Sequence, residues 1–359
     1  MPKETLLNQY RLCKRCLERH IRTGKPSRPC YICQGLMDNL GAIANSILAA
    51  VKGFEFDTFL IGAMLSAQLY EREDAMRARL KIRGRENIKH YLTRELGMRL
   101  TRLTRKQVEY GKPDITITLT IDKENNVDVA VISRPLAFAG VYIKKSRGLP
   151  QKQDRCASCQ GKGCNTCNYS GLSGYDSVEG IIANELVQIT RGQTPKFTWI
   201  GSEDRSSLVL GSGRPFYVRV FNPKKRKLKN KTIKANGIKA MLNVINYIPV
   251  IQPRFTVKTK IYIRCEKNAL TKKILKKLNS LSDSKVSFEN KSKVGIKSIY
   301  SVCVRQLDNN QFTLTITADG GLMIKQLVGG EEYMKPNISE ILGMKCECLM
   351  FDILDVQIQ

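Results

Sequence analysis

A chain of 359 residues, with 60 Lys and Arg against 32 Asp and Glu, carries a formal net charge of +28 at neutral pH. The length suffices for two or three domains with their own cores, and the charge excess points to a polyanionic partner, nucleic acid before any other. Aromatic residues are only 7% of the chain, so such a partner is expected to be held through phosphates more than by stacked bases.

The opening MPKETLLNQY lacks the apolar core of a signal peptide, and the most apolar early run, Ala42 to Val51, is too short to cross a bilayer. A soluble, cytoplasmic protein with no membrane partner is expected. Of twelve cysteines, eight fall in four Cys-x-x-Cys pairs, a pattern that in an intracellular chain favours metal over disulfides. Cys13, Cys16, Cys30 and Cys33 flank a basic loop with Pro and Gly. Four thiolates on two tight turns suit tetrahedral zinc, which orders a segment too poor in apolar residues to fold alone. Redox-active or unpaired thiols are the competing reading. His20 and His90 look too isolated to join a constellation.

From about Phe54 to Gln151 the pattern is α/β. Ile88, Leu92, Leu96, Leu100 and Leu103 recur at helical spacing, leaving Arg94, Arg99 and Arg102 on a basic outer side. Ile115, Ile117, Leu119 and Ile121 alternate with threonines as a half-buried strand does, and Glu124-Asn125-Asn126 then turns a hairpin into Val127, Val129 and Val131. A solvated charged face is the alternative reading of the arginines.

Cys156, Cys159, Cys164 and Cys167 form a second quartet around Gly161 and Gly163, which let the backbone fold both pairs about one ion. An empty knuckle or a plain glycine turn competes with that. Ser177 then caps a helix through Val178, Ile181, Ile182, Leu186 and Ile189.

Next comes GSEDRSSLVLGSGRPFYVR, Gly201 to Arg219. Glu203 and Asp204 sit on a loop before a short strand, Leu208 to Leu210, and a second loop, Gly211-Ser212-Gly213, precedes another strand. A carboxylate pair there is a candidate for chemistry on a polyanion, or else a turn cap. NPKKRKLKNKTIK follows, with Lys224, Lys225, Arg226 and Lys227 in a loop dense enough to attract phosphates at long range. Leu270, Ile274, Leu275 and Leu278 mark a helix, Phe312, Leu314 and Ile316 a strand, and the stretch from Cys346 to Ile358 ends as a strand. Cys265, Cys303, Cys346 and Cys348 read as ordinary buried thiols.

Gly201, Glu203, Asp204, Leu210, Gly211, Gly213, Arg214, Pro215 and Phe216 together resemble the signature of archaeal tRNA pseudouridine synthases that modify the T loop, close to G-R-E-D-hydrophobic-D-x-R-M-L-G-x-G-R-P-F. Ser202, Arg205, Ser206 and Leu208 depart from it. Both cysteine quartets have counterparts in that family. The region ending in Tyr142-Ile-Lys-Lys and Arg147-Gly-Leu-Pro-Gln151 is similar to a THUMP RNA-binding domain.

The resemblance implies a fold and a reaction. The fold is α+β: a zinc-ordered N-terminal segment over residues 1–45 that holds the first cysteine quartet, a THUMP-like α/β domain over 46–151, and a pseudouridine-synthase-like catalytic domain over 152–359 with a mixed sheet, flanking helices and the second quartet. Asp204 acts on the ribose as nucleophile or base, and no cofactor serves catalysis. Leu322-Met323-Ile324-Lys325 is similar to G-x-Y-I-K-E, which makes Lys325 the cation beside Asp204 and puts Met323 where the family has tyrosine. Lys260-Ile-Tyr262 resembles a K-x-Y motif whose tyrosine lies under the extruded base. Arg214 joins these as a substrate-binding residue, and the segment from Asn290 to Val302 is less basic than its family counterpart. The implied partner is the T loop and acceptor arm of tRNA, bound by a monomer. A catalytically weakened tRNA-binding chaperone is the alternative. THUMP-linked methyl transfer or thiolation lacks its nucleotide or methyl-donor loop here.

Overall fold

The structure is a computed structural model and describes residues 10–20, 25–251, 253–268, 270–290, 293–330 and 334–359. The chain forms two compact units, Met1–Pro135 with Asn222–Arg226, and Leu136–Phe221 with Lys227–Gln359. The opening residues 1–9, read above for a leader, lie outside the described ones.

In the first unit, α1 (Lys14–His20) and α2 (Leu40–Val51) precede β1 (Thr58–Leu65), α3 (Ala67–Leu80), α4 (Ile88–Thr104), β2 (Gln107–Val108), β3 (Ile115–Ile121) and β4 (Val127–Ser133). The sheet order is β2-β1-β3-β4, with β1 parallel to β2 and β3, and β4 antiparallel to β3. The alternation expected of Ile115 to Ile121 is realised, all four apolar residues being buried, and Asn125 turns the hairpin at a φ of 66°. Helix α4 buries Ile88, Leu92, Leu96 and Leu100, while Leu103, the last residue but one, faces solvent. The cysteines of the first quartet share one buried cluster with Leu92 and Ile117, so the quartet is part of this core. His20 is not isolated. It lies buried 3.1 Å from Glu73, which also pairs with Arg19 and accepts from the Ile88 N–H at 2.9 Å.

The second unit begins with β5 (Leu136–Lys144) and continues through α5 (Val178–Thr190), β6 (Gln193–Trp199), β7 (Val209–Phe221), β8 (Lys231–Ala235), β9 (Ile238–Ile245), β10 (Phe255–Cys265), α6 (Lys272–Lys276), β11 (Ser284–Asn290), β12 (Lys293–Gln306), β13 (Gln311–Asp319), α7 (Ile324–Gly329), β14 (Met334–Lys335), α8 (Ile338–Leu342) and β15 (Cys346–Ile358). These strands make a mixed sheet ordered β14-β11-β12-β13-β10-β15-β7-β5-β9-β8, with β6 on β7. Because β5 pairs with β7 and β9, the unit starts at Leu136, earlier than the boundary after 151 expected from sequence. Ser177 caps α5 as expected, its Oγ accepting from the Gly180 N–H at 2.8 Å.

Two cores flank the middle of the sheet, one on β10 to β13 under α6 to α8, the other on β5, β7 and β9 under α5. They meet where β7 and β15 pair in parallel at one position, Val209 with Ile353. The loop carrying Asp204 enters β7 at this point. Leu208 to Phe216 does not break into strand, loop and strand; β7 runs through Gly211 and Gly213. Both glycines have positive φ, 58° and 83°, and a Cβ would lie 2.1 Å from the Leu354 carbonyl oxygen or 2.7 Å from that of Tyr142. Only glycine lets neighbouring strands approach so closely. Of the four thiols read as buried, Cys265 and Cys346 are, Cys348 is half-buried and Cys303 is exposed. Among the described residues no helix is long and apolar enough to cross a membrane.

Candidate active site

The loop between β6 and β7 is held from below by a buried cation. Lys144, at the end of β5, is fully buried and donates its Nζ to the Leu149 carbonyl at 2.9 Å and the Asp204 carbonyl at 3.2 Å, while standing 2.9 Å from Glu203 Oε1. Glu203 Oε2 accepts from the Tyr142 hydroxyl at 2.8 Å and lies 3.5 Å from Arg214 Nε. Arg214 Nη1 donates to the Ile200 carbonyl at 2.9 Å. One carboxylate thus lies between two buried cations, and Lys144 and Arg214 fix the loop backbone through the carbonyls of Asp204 and Ile200. Burial first and the Glu203 charge second push the Tyr142 hydroxyl's pKa well above its usual value, so it remains a donor. Arg205, a departure from the family signature, donates to the Gly148 carbonyl at 2.6 Å and secures the loop's outer side.

With its backbone fixed, Asp204 turns its side chain to the wall of a cavity of about 320 Å³, within the range of small-molecule sites. Lys325, the second residue of α7, lies across from it with Nζ 2.6 Å from Asp204 Oδ2. Gly321, Met323, Phe255, Thr259 and Phe351 complete the walls. Two polar atoms of this lining, Thr259 Oγ1 and Gln326 Oε1, are buried with no hydrogen-bond partner among the described residues.

The hydrogen bond to Asp204 raises the Lys325 pKa from its ordinary 10.5. A raised lysine contributes stability that is fully present below the unfolded value and lost as pH climbs through the folded one, so the pair is intact at neutral pH.

The structure brings Asp204, Lys325, Met323 and Arg214 to one cavity, but Arg214 is 2% exposed and its guanidinium is spent on Ile200 and Glu203. Tyr262 is not part of the lining. The period of two along β10 sends Val257 and Thr259 to the cavity face and Lys260 and Tyr262 to the other, where the Lys260 ammonium sits 5.2 Å from the Tyr262 ring centroid. The aromatic rings that do line the cavity, Phe255 and Phe351, had no motif to mark them. Of the segment from Asn290 to Val302, residues 291 and 292 lie outside the described ones.

Basic residues expected to face RNA divide in the same way. Arg94 forms a two-pronged pair with Glu86 at 3.0 and 3.1 Å and stacks over Tyr91. It lines, with the exposed Arg102, a cavity of about 520 Å³ beside α4, and Arg99 is half-buried nearby. The 222–226 stretch is not a free phosphate-seeking loop: Lys225 pairs with Glu55 at 2.9 Å, Arg226 is nearly buried against Asp114 and Ser133, and Lys224 lies over Phe54. Lys224 and Lys227 remain exposed.

Both cysteine quartets bring four Sγ atoms within 4.8 Å of one another. A tetrahedral site with metal–sulfur bonds of about 2.3 Å has sulfur–sulfur edges of about 3.8 Å, against about 2.0 Å in a disulfide. The observed edges are 3.7 Å for Cys13 with Cys33, and 4.0, 3.9 and 3.8 Å for Cys156 with Cys164, Cys159 with Cys167, and Cys164 with Cys167. In the second quartet, burial opposes ionisation of Cys167, but N–H groups of Cys164 and Gly171 donate to its sulfur and bring its pKa down to about 6. Both donor sets fit a tetrahedral metal.

A family model described as Pus10, C-terminal, matches residues 138–357, and one described as Pus10 THUMP domain, archaeal, matches 43–120. A tRNA pseudouridine synthase Pus10 of Nitrosopumilus maritimus is 35% identical over 99% of this chain and 97% of its own length. That of Cenarchaeum symbiosum is 30% identical over 98% and 90%, and that of Methanosphaera stadtmanae 30% identical over 97% and 96%. With the C-terminal model spanning the loop that carries Asp204 and the helix that carries Lys325, and relatives aligned over nearly their full length, the chain belongs to the Pus10 family of tRNA pseudouridine synthases.

Proposed function

We propose that this chain converts one uridine of the tRNA T loop to pseudouridine, with Asp204 as the group that acts on the ribose. What carries the reading is the Asp204 carboxylate itself, fixed at the wall of a nucleoside-sized cavity and held 2.6 Å from the Lys325 ammonium. In the reaction the glycosidic bond breaks, the uracil turns, and its C5 joins the ribose carbon while the C5 proton leaves; no electron or phosphoryl group moves. Asp204 serves as nucleophile or as the base that takes a ribose proton, and Lys325, 2.6 Å away, holds its carboxylate at the cavity wall. Phe255, in the cavity lining, offers a ring for the face of a uracil. Flipping the base out costs a few kcal/mol, part of which such contacts return.

Tritium release from tRNA carrying uracil labelled at C5 tests this directly. Release at catalytic rates is expected, and tight tRNA binding without release would leave only a tRNA-holding role. Met323 at the cavity wall cannot donate the hydrogen bond that a tyrosine there would. One T-loop uridine is accordingly expected to be modified at least roughly tenfold faster than its neighbour, the value of one lost hydrogen bond. Equal modification of both, mapped on T-loop transcripts, would contradict it.

Zinc is the proposed structural occupant of both quartets. Metal analysis is expected to return two zinc ions per chain, and one in the Cys156→Ser/Cys159→Ser variant. Stripping the first quartet removes the ion from inside a core and should lower the first unit's stability by several kcal/mol, read as earlier thermal unfolding in chelator.

A further inference from the structure

A second cavity in the same unit, of about 750 Å³, shares no lining residue with the one at Asp204. It lies between the segment of the second cysteine quartet and the edge strand β6. Lys152, Arg155, Lys162 and Lys196 surround it, all exposed, and none makes an ion pair among the described residues. Two aromatic rings, Phe197 and Trp199, line it from β6, stacked at 5.0 Å and 10°. The only carboxylate in the lining is Glu179, which accepts from the Gln153 N–H at 3.2 Å.

The knuckle wall is fixed to the strand. The Thr194 N–H donates to the Tyr169 carbonyl at 2.7 Å and Thr194 Oγ1 to the Lys162 carbonyl at 3.1 Å. A Cβ on Gly171 would stand 2.8 Å from the Gly161 carbonyl oxygen, so these turns are packed to contact. The quartet therefore holds the basic rim in place over the aromatic floor.

Four cations against one carboxylate, beside a stacked pair of aromatic rings, match a ligand with phosphates spaced about a planar base. A duplex offers phosphates but no free ring face and is too wide to enter; an unpaired nucleotide offers both. We propose that this cavity is a second RNA subsite that takes an unpaired nucleotide of the tRNA, its base on Phe197 and Trp199 and its flanking phosphates on Lys152, Arg155, Lys162 and Lys196. The inference rests on the reading that the substrate is tRNA, and it makes the second quartet part of substrate binding.

Trp199 is the single tryptophan of the chain; it lines this cavity and also packs on Tyr142 and Phe216, so its emission is read together with the KM of rim variants. Titrating the full chain with an unmodified tRNA transcript is expected to quench emission by roughly a third or more through base stacking, at the concentrations that saturate tritium release. Lys152→Gln/Arg155→Gln/Lys196→Gln is expected to raise KM for tRNA roughly tenfold with little change in kcat, and to lower the slope of log KM against log salt by about two, since each phosphate contact on a single strand accounts for about 0.7. Uridine monophosphate at the same concentrations should leave the emission unchanged. Constant emission and an unaltered KM while tritium release proceeds would overturn the subsite, as would equal quenching by the free mononucleotide. Failure of the isomerase reading shows separately, as quenching by tRNA with no tritium released.

Discussion

Glu203→Leu is expected to destabilise the second unit by about 3–5 kcal/mol, the usual consequence of stranding buried charges. Glu203 lies 2.9 Å from Lys144 Nζ and 3.5 Å from Arg214 Nε, with all three side chains at most 2% exposed. Its removal leaves two buried cations with only carbonyl oxygens for company and takes the acceptor from the Tyr142 hydroxyl. For a unit of this size the midpoint of thermal unfolding should fall by roughly 10 °C. Lys144→Met in the Glu203→Leu background should cost less than the sum of the two single changes, because the second removes a charge the first had orphaned. kcat should fall with stability, since the same groups hold the backbone on both sides of Asp204. A melting midpoint within a degree or two of wild type would show that the buried charges do not support the loop.

Much of this site was legible along the chain, for a physical reason. Asp204 and Lys325 stand within short contiguous motifs that carry the family resemblance, whereas spacing alone left Asp204 equally a turn cap. The β3–β4 hairpin, the Ser177 cap and the cysteine quartets are also short-range patterns, readable from spacing. Lys144, by contrast, lies 60 positions from the carbonyl it supports, and nothing near it in the chain says that it will be buried. Tyr262 fell to the other face because alternation tells which residues share a face of β10 but not which face meets the cavity; that is decided by the pairing of β10 with β13 and β15. Arg226 looked like one more charge in a basic run, yet Asp114 and Glu55, distant in sequence, draw it and Lys225 onto the first unit. Leu103 keeps helical phase but sits where α4 has run past its neighbours. The low aromatic content, read as a sign of phosphate-led binding, could not show that Phe197 and Trp199 would stack side by side among lysines.

The account as a whole turns on Asp204, and its carboxylate can be removed with little change of shape. Asp204→Asn keeps the side chain's size and can still hydrogen-bond, while Lys325 remains solvated, so the fold and tRNA affinity should hold within a few-fold. The nucleophile or base is gone, and losses for such groups run to about four orders of magnitude or more. The most direct measurement is single-turnover tritium release from C5-labelled tRNA with saturating Asp204→Asn protein, beside wild type. Release indistinguishable from the protein-free control, with tRNA still bound, is the expected result; release within tenfold of wild type would contradict the assignment of Asp204 as the group that acts on the ribose.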